Sequence, residues 1–76
     1  MELQALVKAV IGLKHGWAVA DQFEDTFNGE ALEKQNLNAL RYIKTSVEEL
    51  ISSRLLNQEA QEELIEYREG LTVYLS

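Results

Sequence analysis

Apolar residues recur along the first 27 positions at steps of three and four. Leu3, Leu6, Val10, Leu13, Trp17 and Ala20 keep that spacing without a miss, and Phe23 and Phe27 extend it. Residues so spaced share one face of an α-helix, so the pattern predicts a helix over about residues 2–27. Val7, Ile11 and Val19 widen the stripe on one flank. A stripe that broad asks for neighbours on two sides.

Asn28-Gly29 follows Phe27. Both residues tolerate the left-handed conformation that ends helices, and the flanking period is helical, not alternating. A second helix is predicted over about 30–54. Leu32, Asn36, Leu40, Ile43, Val47, Leu50 and Arg54 form its stripe, with Leu37 and Ile51 beside it. Glu30 and Glu33 fall in its first turn, where carboxylates suit the helix dipole, and Arg54 falls in its last. Asn57 is a favourable N-cap, and a third helix over about 58–74 carries Ala60, Leu64, Tyr67, Leu71 and Tyr74 on its stripe. The second stripe would continue to Asn57 and Gln61, which are polar. This phase change at a capping residue favours a real break over one long helix. Gly70 lowers helix stability by about 1 kcal/mol relative to Ala, which predicts an early end or a frayed last turn. The fold class is therefore all-α: a short bundle of three antiparallel helices in a single domain, residues 1–76. A two-helix hairpin is the alternative.

Composition changes this picture in one respect. The chain has 76 residues, no cysteine and one histidine, so disulfides and multi-histidine zinc sites are excluded. A chain this short buries only about 60% of the surface of its unfolded form. Three short helices offer too little area to cover both flanks of the first helix. The expectation is a homodimer that completes the core. Lys8, Lys14 and His15 interrupt the apolar N-terminal stretch, and Glu2 precedes it. That pattern fits neither a membrane span nor a secretory leader, so no membrane association and a cytoplasmic location are expected.

Small residues mark the first helix. Ala5, Ala9, Gly12, Gly16 and Ala20 recur at steps of four, three, four and four. One reading is close approach by a second helix, from this chain or from a partner. The other is room for Trp17, or a kink. The candidate helix-packing and dimer interface is Leu3, Leu6, Val10, Gly12, Leu13, Gly16, Trp17 and Ala20. Trp17 itself is expected in the core as the bulkiest side chain, and His15 at the surface or its boundary.

Charge suggests a partner. Acids number 13 against 7 Lys and Arg, for a net charge of −6. Asp21, Glu24 and Asp25 cluster near the predicted end of the first helix, where they oppose its dipole. Lys34, Arg41, Lys44 or a basic partner would relieve them. Glu59, Glu62, Glu63, Glu66 and Glu69 face Arg68 alone in the last helix. Together these eight carboxylates form a candidate acidic partner surface. Their sign repels phosphates, so direct nucleic-acid binding is not expected.

Nothing points to catalysis. Ser46, Ser52, Ser53 and Ser76 neighbour no histidine, and there is no phosphate loop or dinucleotide fingerprint. No enzyme activity and no cofactor or metal are expected. The leading expectation is a small acidic protein–protein interaction module, regulatory or adaptor-like, acting as a helical homodimer. The alternative is an acidic inhibitor, or nucleic-acid mimic, that blocks a basic site on a partner. A ligand pocket around Trp17, Tyr42 and Tyr67 ranks last.

Overall fold

The computed structural model describes residues 2–76. It contains four α-helices: α1 (Leu3–His15), α2 (Trp17–Phe27), α3 (Leu37–Ser53) and α4 (Gln58–Leu75). A 3-10 turn, Leu32–Lys34, lies between α2 and α3. No strand occurs among the described residues, and none of their helices is long and apolar enough to cross a membrane.

The first departure from the sequence pattern is the division of its longest helix. Gly16 has φ 96° and ψ 159°, a region that residues with a Cβ essentially never occupy. Its N–H still bonds to the Gly12 carbonyl at 3.0 Å, and its own carbonyl accepts from Ala20 at 3.2 Å. One residue therefore closes α1 and opens α2, with no intervening loop. The chain then folds back. Gln4 reaches Glu24 at 3.5 Å, and Lys8 reaches Asp21 at 3.4 Å and Glu24 at 3.1 Å. In an unbroken helix, residues 4 and 24 would stand about 30 Å apart. The expected three-helix bundle is thus a four-helix arrangement.

Breaking the helix also resets the phase of its apolar face. The core consists of Val7, Ile11, Ala20, Phe23, Leu40, Ile43, Val47, Leu64 and Leu71. In α1 it is the flank, Val7 and Ile11, that is buried. Leu13 is 82% exposed and Trp17 56% exposed, although both lie on the predicted main stripe, and Trp17 was expected in the core. Beyond Gly16 the original stripe resumes, with Ala20 and Phe23 buried and Phe27 packed against them. The neighbour that α1 needs is supplied by α2. With that flank covered inside the chain, the width of the α1 stripe alone does not require a second copy. The Cα radius of gyration, 11.2 Å, matches the roughly 11 Å of a compact single chain of this length.

The α2 end follows its sequence signal closely. Gly29 adopts φ 106°, the Gly29 N–H bonds to Thr26 O, and the Glu30 N–H bonds to Asp25 O. These are the two reversed bonds of a Schellman cap. α3 begins later than predicted, at Leu37 and not near residue 30. Asn36, placed on the apolar stripe by its spacing, is the N-cap: its side chain accepts the Ala39 N–H at 3.1 Å. The Asn36 N–H in turn bonds to Gln22 Oε1 at 2.9 Å, which ties the cap to α2. Glu30 and Glu33 consequently precede α3 and do not sit in its first turn. The break between α3 and α4 is real, which removes the two-helix hairpin. Arg54 ends α3 in the left-handed region at φ 57°, and Asn57 caps α4 by accepting the Ala60 N–H at 2.8 Å. α4 continues through Gly70 to Leu75, so the expected early end does not occur.

The Gly16 conformation yields a direct expectation. Gly16→Ala should cost roughly 1–3 kcal/mol, read as a lower denaturant midpoint by circular dichroism. A variant of unchanged stability would show that the turn does not depend on glycine.

Candidate interaction surface

The small-residue strip of α1 is used within the chain. Gly12 is buried, and a Cβ built there would run into the benzo ring of Trp17. Trp17 thus folds back onto the strip from the first turn of α2. A shallow groove of about 370 Å³ continues along it, lined by Ala5, Lys8, Ala9, Trp17 and Glu24 among others. Nothing crowds Gly16, so its need for glycine is conformational. Room for Trp17 and permission for a sharp turn account for the two glycines. Of the candidate interface residues, Gly12 and Ala20 are buried internally, while Leu3, Leu6 and Val10 are half-buried. Leu13 and Trp17 remain exposed, one on each side of Gly16.

α3 holds the end of α1 by polar contacts. The His15 ring stacks on Tyr42 at 4.8 Å with an interplanar angle of 17°. Lys14 pairs with Glu49 and holds its carboxyl below the usual carboxylate range. No group of three or more potential metal ligands occurs among the described residues. The pocket envisaged around Trp17, Tyr42 and Tyr67 does not form, because Trp17 covers Gly12, Tyr42 stacks on His15, and Tyr67 packs with Phe23 and Phe27.

The acidic residues separate into two sets. Asp21 and Glu24 both pair with Lys8, whose ammonium is held above its ordinary pKa by the Glu24 hydrogen bond first, and then by the charges of Glu24 and Asp21. Lys34, Arg41 and Lys44, expected from the sequence as partners, take no part. The fold brings Lys8 there by turning back at Gly16, which spacing along a single helix does not reveal. The α4 carboxylates behave differently. Glu59, Glu62, Glu63, Glu66 and Glu69 are all exposed. At 3.6 residues per turn they fall within an arc of about 120°. Among the described residues, none of them joins an ion pair.

Beside that arc lies a groove of about 450 Å³. It runs between the end of α2, the 3-10 turn and α4. Thr26, Phe27, Leu32, Tyr67 and Leu71 form its floor, and Glu30, Glu63 and Glu66 belong to the same lining. Phe23, Phe27 and Tyr67 pack together with centroids 5.2 to 5.4 Å apart. The Tyr67 hydroxyl lies 2.7 Å from Thr26 Oγ1, which is within reach of the Gln22 and Phe23 carbonyls at 3.0 and 3.2 Å. Either hydroxyl can donate in the Tyr67–Thr26 contact. Burial pushes the Tyr67 hydroxyl up to about 12, against a smaller lowering by the Thr26 contact. Gly70 lines the groove in the interior of α4, and nothing lies within 4 Å of a Cβ built there. No packing contact therefore requires glycine at this position, at a helix cost of about 1 kcal/mol. Sequence reading missed Thr26, Phe27, Glu30, Leu32 and Gly70 as groove residues. They come from α2, the loop after it, the 3-10 turn and α4, and no spacing rule joins them; the interior glycine was the one legible signal.

No family model matches this chain, and no curated protein or solved structure matches it.

The Tyr67 environment makes stability depend on alkaline pH. The folded pKa is raised, so the unfolded chain releases its proton first, and the folded form loses stability as pH rises from about 10 to about 12. Denaturant midpoints across that window should fall faster for the native chain than for Tyr67→Phe, by up to about 2 kcal/mol. Parallel pH profiles would show that the Tyr67 proton is not linked to folding.

Proposed function

We propose that this protein is a non-catalytic protein–protein interaction module of the cytoplasm, regulatory or adaptor-like, that pairs with a second copy of itself. The observation that supports the reading is the apolar corner at Gly16. Leu13 and Trp17 are large, exposed and held on either side of a turn fixed by glycine. Exposed apolar side chains at a rigid corner suit an interface centre, where Trp is enriched. Charge favours the same place. Residues 3–20 include Lys8, Lys14 and His15 but no carboxylate, in a chain with 13 acids. Its lysines are matched by Asp21, Glu24 and Glu49, so two copies meeting there avoid the repulsion that their unpaired α4 carboxylates would generate.

Light scattering at tens of micromolar should give twice the chain mass. Leu13→Glu should return it to the monomer mass with unchanged helicity, because Leu13 has little contact to lose. A monomer for the native chain would overturn the dimer reading.

A second reading draws on the aligned α4 carboxylates: an acidic inhibitor that occupies a basic site on another protein, in the manner of a nucleic-acid mimic. Five exposed carboxylates on one arc form the kind of continuous negative strip that such a decoy requires. Attraction of this type is screened over about 8 Å at physiological ionic strength. The complex with a basic partner should weaken steeply between low and physiological salt in a titration series. Salt-independent affinity would count against this reading.

A further inference from the structure

The groove beside the α4 acidic arc combines an apolar floor with a carboxylate lining. We infer that it seats one or two basic side chains of an amphipathic segment on a partner protein, an assignment that rests on the acidic-surface reading above. The floor offers two aromatic rings and one aliphatic side chain, Phe27, Tyr67 and Leu32, over the fully buried Leu71. A Lys or Arg side chain is itself divided in this way, with an apolar stem and a charged head. Its stem matches the floor, and its charge matches Glu30, Glu63 and Glu66 on the same groove. None of these three carboxylates is in an ion pair among the described residues. The cation also gains from the face of Tyr67 or Phe27 when it approaches within about 6 Å of the ring.

Charge selects this occupant over others. A second copy of this chain would bring net negative charge to a negative groove, and phosphates are repelled for the same reason. A volume of about 450 Å³ is the scale of side chains, not of a whole helix, so the segment is expected to lie across the groove and insert side chains into it. Gly70 supplies an independent indication. Its missing side chain leaves the α4 wall of the groove clear, although nothing packs against it.

Calorimetric titration tests the assignment with a synthetic helix-forming peptide that alternates leucine and lysine faces, and with oligolysine of equal charge. The amphipathic peptide should bind roughly tenfold tighter than oligolysine, since only it adds apolar contact. Glu63→Gln/Glu66→Gln should weaken it far more than Glu62→Gln/Glu69→Gln, which removes the same charge outside the groove. Gly70→Leu should abolish the preference for the amphipathic peptide while leaving thermal stability equal or higher. Equal losses in the two double variants, or an unaffected Gly70→Leu, would overturn the groove and leave the acidic surface standing. Absence of binding by both peptides would overturn both.

Discussion

The structure depends on one backbone conformation. Gly16 sits where other residues do not go, and its peptide groups serve both helices that it joins. A turn without a loop leaves little freedom in the angle between α1 and α2, and the Lys8 contacts to Asp21 and Glu24 close it from the other side. Trp17, the first residue after the turn, lies on Gly12, one helical turn before it. The two glycines are therefore linked. One permits the reversal, and the other makes room for the side chain that the reversal brings back.

That turn reorganises the remaining packing. With α2 covering α1, the core closes around Phe23 and draws on α3 and α4 through Leu40, Ile43, Val47, Leu64 and Leu71. Asn36 connects the start of α3 to Gln22 on α2, and Tyr67 connects α4 to Thr26 on the same helix. α2 is thus contacted by polar links from three other helices. Short chains lack area for a large core, and directional contacts of this kind add order that buried area alone would not supply.

The same arrangement sorts the charges. The N-terminal cation Lys8 is spent on the α2 acids, and Lys14 on Glu49. The α4 carboxylates are left in one exposed arc beside an aromatic groove. A surface with an exposed apolar corner at one place and an acidic, partly apolar groove at another can serve two different contacts, one to itself and one to a basic partner.

Much of the local architecture was legible in the chain. The Asn28-Gly29 stop, the Asn57 cap, the break before α4 and most of the α3 and α4 core positions follow from spacing and capping chemistry, because those depend on residues within a turn or two of one another. The division of α1 from α2 is not legible in the pattern, because Gly16 is equally compatible with a helix interior and with a turn. Its neighbours keep an unbroken three-four spacing across it, and only the packing of α2 onto α1 selects between the two. The role of Asn36 is hidden for a related reason: its spacing matches the stripe, while the Ala39 and Gln22 bonds that make it a cap appear only on folding. What the sequence by itself determined was helix content, the two later boundaries and the distribution of charge, all set by short-range chemistry. What only the tertiary structure decided was the reversal at Gly16, and with it the buried face of α1, the partner of Lys8 and the groove. Each of these joins residues far apart in the chain, and each depends on a backbone dihedral that glycine allows but does not require.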